Sequence, residues 1–237
     1  MKPIHIVGLS VLVASVGCTS TTDLNNKTAS EPPESPKPEI TAPNETVSAT
    51  AEGFATFADW CLNRESLSPN ALHTVELLLE KAGTQDCSSA QESLGNLSDL
   101  MLSNSQVIEL APLASLTHLS RLDLSRNQIL DVAPLANLTN LTGLYLSDNE
   151  IVDVAPLNRL NRLSELSLAG NNIADVAPLA NLTNLATLDL YNNAITDVTP
   201  LAALSELTLL YLGENPLSDR TCPLQPETIC IFSNIVP

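Results

Sequence analysis

From Leu94 onward the sequence returns to itself every 22 residues, and this period restricts the fold more than any other feature of the chain. Copies begin at Leu94, Leu116, Leu138, Leu160, Leu182 and Leu204, the last one truncated. Leu recurs at the fourth place (Leu97 to Leu207), the seventh (Leu100 to Leu210) and the ninth (Leu102 to Leu212). An aliphatic residue holds the fourteenth place (Val107, Ile129, Ile151, Ile173, Ile195, Leu217). Pro holds the nineteenth in five copies: Pro112, Pro134, Pro156, Pro178 and Pro200. A unit this short cannot enclose a core alone, so each copy must stack on its neighbours and share an interior with them.

Each column has a physical task. The Leu-x-Leu pair has the two-residue period of a strand, so both leucines point inward from a short β segment. The Pro step presets φ for a brief turn or 3₁₀ segment on the opposite side, and 22 residues leave no room for a long helix there. The expected architecture is an α/β repeat: a curved solenoid with parallel strands on its concave face and thin turns on its convex face. Asn127, Asn149, Asn171, Asn193 and Asn215 stand where the chain leaves each strand. A buried amide there can hydrogen-bond the neighbouring turn's backbone and form a ladder along the stack. Ser105 takes that place in the first copy. With three Phe, three Tyr and one Trp in 237 residues, the core must be aliphatic.

The flanks differ from the repeats. Lys2, the apolar stretch Ile4–Val16 and small residues before Cys18 form a secretory signal pattern over residues 1–17, too short for a transmembrane span. The ending Ala14-Ser15-Val16-Gly17-Cys18 resembles a bacterial lipobox, which would make Cys18 a lipidated first residue. The alternative is plain signal cleavage and secretion. Residues 18–52 are rich in Thr, Ser, Pro and Glu and read as a disordered, semi-stiff tether.

Residues 53–93 read as a helical cap over the first repeat. Phe54, Phe57, Trp60 and Leu62 suit one face of a short helix. Ser68-Pro69 starts a second helix, whose stripe is Leu72, Val75, Leu78 and Leu79 and whose stop is Gly83. The repeats then occupy residues 94–219, and residues 220–237 read as a C-terminal lid. Five cysteines leave two close pairs once Cys18 takes a lipid: Cys61 with Cys87, and Cys222 with Cys230. On loop entropy those bridges contribute roughly 3.6 and 2.6 kcal/mol. The alternative is free thiols, which an oxidising compartment disfavours.

The run Leu-Thr-Asn-Leu-Thr-Gly-Leu-Tyr-Leu-Ser-Asp-Asn-Glu-Ile-Val-Asp-Val-Ala-Pro-Leu, residues 138–157, resembles the leucine-rich repeats of bacterial internalins. The resemblance covers residues 94–219 and implies protein binding on the concave strand face. The paired cysteines of both caps depart from the internalin pattern.

The sixth, eighth and tenth places flank the inward leucines and face out from the strands. They offer Asp99, Met101, Arg121, Asp123, Tyr145, Glu165, Asp189, Tyr191 and Tyr211 as candidate contact residues, including all three tyrosines of the chain. Tyr favours strands in any case, yet it also supplies rigid, amphipathic contact area at interfaces. Tyr191 and Tyr211 fall on adjacent strands and could share a patch; Tyr145 lies three strands from Tyr211, roughly 14 Å away. With a single Arg among its acids, the face should prefer a partner with a basic surface.

The formal charge of −17 opposes nucleic-acid binding. The acidic column Asp131, Asp153, Asp175, Asp197 and Asp219 (Glu109 in the first copy) could suggest a metal ladder. Asp three residues before each Pro instead suits a cap on the convex turn. His5 leaves with the signal segment, while His73 and His118 lie far from any common pocket, so no nucleophile–base pair is indicated. The sequence therefore predicts a non-enzymatic monomer without cofactor or metal, exported to a bacterial cell envelope and held there by lipid. The other reading is a structural or carbohydrate-associated envelope protein without a discrete protein partner.

Overall fold

The computed structural model describes residues 54–233. The signal segment, Cys18, the tether and the chain's last four residues lie outside them.

Among the described residues, three α-helices precede the repeats. The first, α1 (Phe57–Leu62), opens with a reciprocal cap: the Thr56 hydroxyl accepts from Asp59 N–H, and the Asp59 carboxylate accepts from Thr56 N–H. Phe57, Trp60 and Cys61 are buried at the three- and four-residue spacing of one helical face. Leu62, expected on that face, is 70% exposed. Five residues beyond Phe57 is about 140° around the helix, which turns it outward. Phe54 lies before the helix and packs edge-on against Trp60, with ring centroids 4.9 Å apart.

Helix α2 (Pro69–Ala82) begins at Ser68, whose hydroxyl accepts from Ala71 N–H, and stops at Gly83 in the left-handed conformation. A third helix, α3 (Cys87–Gly95), was not expected. Asp86 caps it, accepting from Ser89 N–H. Its buried side chains are only Cys87, Ala90 and Leu94, so it shows almost no apolar stripe in sequence. Leu94, read as the first column of the first repeat, is therefore the end of a cap helix. The Cys61–Cys87 disulfide, with Cα atoms 5.6 Å apart, joins α1 to the start of α3 rather than fastening α1 to α2.

The departures of the first repeat are explained where the cap docks. Glu109 accepts from the Ser68 hydroxyl at 2.6 Å, and its carbonyl accepts from the Thr74 hydroxyl at 2.7 Å. His73 Nε2 lies 2.7 Å from the Ser105 carbonyl, and His118 Nε2 lies 2.9 Å from the Leu94 carbonyl.

Seven parallel strands follow in chain order within one sheet: β1 (Asp99–Met101), β2 (Arg121–Asp123), β3 (Gly143–Tyr145), β4 (Glu165–Ser167), β5 (Thr187–Asp189), β6 (Leu209–Tyr211) and β7 (Cys230–Ile231). From β1 to β6 each residue pairs with the residue 22 positions later, so equivalent side chains form straight rows. The seventh strand shows how the expected disulfide-stapled end is built. The C-terminal segment extends the sheet, with Cys230 opposite Leu210 and Ile231 opposite Tyr211, tied back by the Cys222–Cys230 disulfide.

The opposite side carries a 3₁₀ turn per repeat: Ala111–Leu113, Ala133–Asn137, Ala155–Arg159, Ala177–Asn181 and Thr199–Ala203. Asp131, Asp153, Asp175 and Asp197 each accept from a turn N–H at 2.8 Å, so the acidic column is engaged with backbone. Between strands and turns the Leu, Ile and Val columns are buried. Each fully buried aliphatic side chain contributes roughly 1.5–3 kcal/mol.

The Asn column closes the remaining backbone groups. Asn171 accepts from Ile151 N–H at 3.0 Å and donates to the carbonyls of Leu146 at 3.0 Å and Leu168 at 2.9 Å. Asn149, Asn193 and Asn215 repeat this pattern, and Asn127 accepts from both Ser105 and Val107 N–H. The residue just before each of these positions is left-handed: Arg126, Asp148, Gly170, Asn192 and Glu214, and Asn104 before Ser105 in the first copy, have φ between 52° and 64°. That reversal turns the chain off the strand so that the next side chain enters the core.

Candidate protein-binding face

The strands bury their central leucines and leave the flanking places open. The sixth-place row runs Asp99, Arg121, Gly143, Glu165, Thr187, Leu209; the eighth-place row runs Met101, Asp123, Tyr145, Ser167, Asp189, Tyr211 and ends at Ile231. All nine expected contact residues are at least partly exposed on this face, with Met101 at 49%. Leu209 at 38% and Ile231 join them, neither of which was among the nine expected contact residues.

The face has two chemically different halves. In the first, Gly143 leaves a gap in the sixth-place row, and the Tyr145 ring lies down into it. A Cβ at Gly143 would stand 3.2 Å from the Tyr145 hydroxyl. Arg121 holds its guanidinium carbon 5.4 Å from the ring centroid, donates to the Tyr145 hydroxyl and pairs with Glu165 at 3.3 Å. The Tyr145 hydroxyl in turn donates to the Glu165 carboxylate. Burial, reinforced by Glu165, pushes the Tyr145 phenol up to about 12. Arg, Tyr and Glu from three successive strands thus satisfy one another. The sequence shows all three and Gly143, but not that the glycine lets them meet.

In the second half, Asp189 pairs across the sheet with Tyr211 on one side and Ser167 on the other. Tyr191, two residues on, lays its ring over the next strand, where a Cβ on Gly213 would come within 3.0 Å of it. Tyr191 and Tyr211 thus flank Asp189 without stacking on each other. The Asp189 carboxylate accepts from Tyr191 N–H at 3.0 Å, and burial raises its pKa above the usual carboxylate range. Two other acids of the face also make local contacts. Asp123 accepts from Ser125 N–H at 2.9 Å and Asp99 from the Ser98 hydroxyl at 3.2 Å.

The family profile described as two copies of leucine-rich repeats matches residues 139–181 and 183–224. Together with the stacked parallel strands, that decides the class. The chain is a leucine-rich-repeat protein. Among solved structures, this leucine-rich-repeat protein is similar to an internalin of Listeria monocytogenes, with 30% identity, a TM-score of 0.55, and coverage of 68% of this chain and 54% of that one. It therefore spans about half the length of that relative. A second internalin of Listeria monocytogenes, internalin C2, shows 30% identity over 67% of this chain and 90% of that one, with a TM-score of 0.48. A leucine-rich-repeat protein of Leptospira interrogans shows 27% identity and a TM-score of 0.51 over 60% of this chain and 38% of that one. No curated protein matches the sequence.

Proposed function

We propose that this leucine-rich-repeat protein is exported, anchored by a lipid on Cys18, and binds a protein partner through its strand face. The observation carrying the binding reading is the second half of that face. Tyr191, Leu209, Tyr211 and Ile231 stand together beside Asp189, an amphipathic surface of the composition that anchors protein interfaces. Internalin-type repeats typically serve as protein-interaction modules, which agrees. Two disulfides suit an oxidising compartment.

The test places a photo-crosslinking amino acid in the full chain, either at Tyr211 or at Asn181 in a 3₁₀ turn on the opposite side. One protein should be captured at high yield from Tyr211, little or none from Asn181, and the capture should be lost when Tyr191→Ala accompanies the probe. Equal capture from both sides would refute the placement. The anchor is tested by labelling with a fatty acid: the wild-type chain should take the label and Cys18→Ala should not.

A further inference from the structure

We propose that Asp189, set between Tyr191 and Tyr211, is a recognition pocket for a single Lys or Arg side chain of the partner. This rests on the strand-face reading and assigns the chemistry of its central contact. Arg121, Tyr145 and Glu165 are committed to one another, and Asp123 is turned back on its own backbone. Asp189 differs. One carboxylate oxygen accepts from Tyr191 N–H, while the other has only the Ser167 hydroxyl at 3.5 Å, the outer limit of a hydrogen bond. Oxygen Oδ2 therefore retains acceptor capacity while its carboxylate is partly withdrawn from water.

A carboxylate in that position carries a desolvation cost with no full compensation, in keeping with its raised pKa. An incoming cation supplies the missing partner and gains from the same low-dielectric setting. The neighbouring charge has the same sign: Asp148 raises the pKa further and no basic group lowers it. Anions are thus repelled. The surroundings also fit the stem of the ligand. Tyr211 lies beside the acid on the next strand, and the Tyr191 ring covers Gly213, closing the far corner. Two rings and one carboxylate accept the methylenes of Lys or Arg and its charged end, through apolar contact and attraction to the ring faces. A divalent ion is a poorer occupant, because calcium takes six to eight oxygens and this corner offers one carboxylate and one hydroxyl.

The probe is a displayed library of random twelve-residue peptides selected on the full chain. The expected result is a family of binders sharing one Lys or Arg. Replacing that residue by norleucine, or Asp189 by Asn, should each weaken binding about tenfold or more, with little further loss when both are changed. Asp189→Asn keeps an acceptor for Tyr191 N–H, so the variant should fold, which thermal unfolding checks. Peptides lost on Tyr191→Ala with Tyr211→Ala but unaffected by Asp189→Asn would overturn the cation pocket and leave the strand face standing. Peptides indifferent to all three substitutions, or no binders at all, would overturn both.

Discussion

Tyr145 is the side chain whose environment departs furthest from what its type suggests. Its phenol is held protonated by burial first and by the Glu165 carboxylate second. A folded-state pKa of about 12 against an ordinary 10 means that the unfolded chain ionises first. The stability this group contributes is complete below about pH 10 and is lost as the pH rises towards 12. Ultraviolet titration should show one tyrosine ionising late, and Glu165→Gln should bring it earlier, while burial keeps it above the ordinary value. A late tyrosine that persists unchanged in Glu165→Gln would contradict the arrangement. This cluster was only half legible in the sequence. The repeat register placed Arg121, Tyr145 and Glu165 on one face, but their contact depends on which rotamer fills the space over Gly143. The left-handed position was hidden for a related reason. Arg126, Asp148 and Glu214 occupy it beside Asn104, Asn192 and Gly170, so residue type alone does not mark the turn.

At the level of strands and helices, the regular columns were legible because each has one task in every copy. The irregular ends were not. Helix α3 hides behind a nearly featureless run, and its Leu94 coincides with the repeat column. Strand β7 carries no Leu-x-Leu signature, because it needs only two residues to pair with β6. Both ends instead rely on a disulfide. Cys61–Cys87 closes a loop with a separation of 26 residues that contains α2, whose Ser68, His73 and Thr74 clasp the first repeat. Replacing both cysteines with Ala should cost about 3.6 kcal/mol, nearly all through the freed unfolded chain. Amide exchange should then quicken first in α1 and α3 and in the first repeat, with β5 and β6 still protected. Uniform loss of protection along the stack would show that the cap is not a separable cooperative unit.

The register that aligns equivalent residues also makes the whole stack divisible at one interval alone. Excising residues 160–181 would bring β3 beside β5, with Leu144 facing Leu188 and Leu146 facing Leu190, the same residue types that each meets now. Asn193 would take over the bonds that Asn171 makes to Ile151 N–H and the Leu146 carbonyl. Among the losses are Glu165, hence the Tyr145 cluster, the bonds of Ser167 to Ser147 and Asp189, and the bond from Arg162 to Asn140. The shortened chain should fold, unfold cooperatively, and show a smaller denaturant dependence in proportion to the surface removed. Excising residues 160–179 deletes less of the protein yet should do more harm. Every later column would arrive two places late, setting Ala186 opposite Leu144 and Tyr191 in the place that needs Asn193, while the Pro column also misses its partners. Urea unfolding followed by circular dichroism separates the cases. A transition that survives both deletions equally well would mean that generic hydrophobic collapse, rather than matched columns, holds the repeats together.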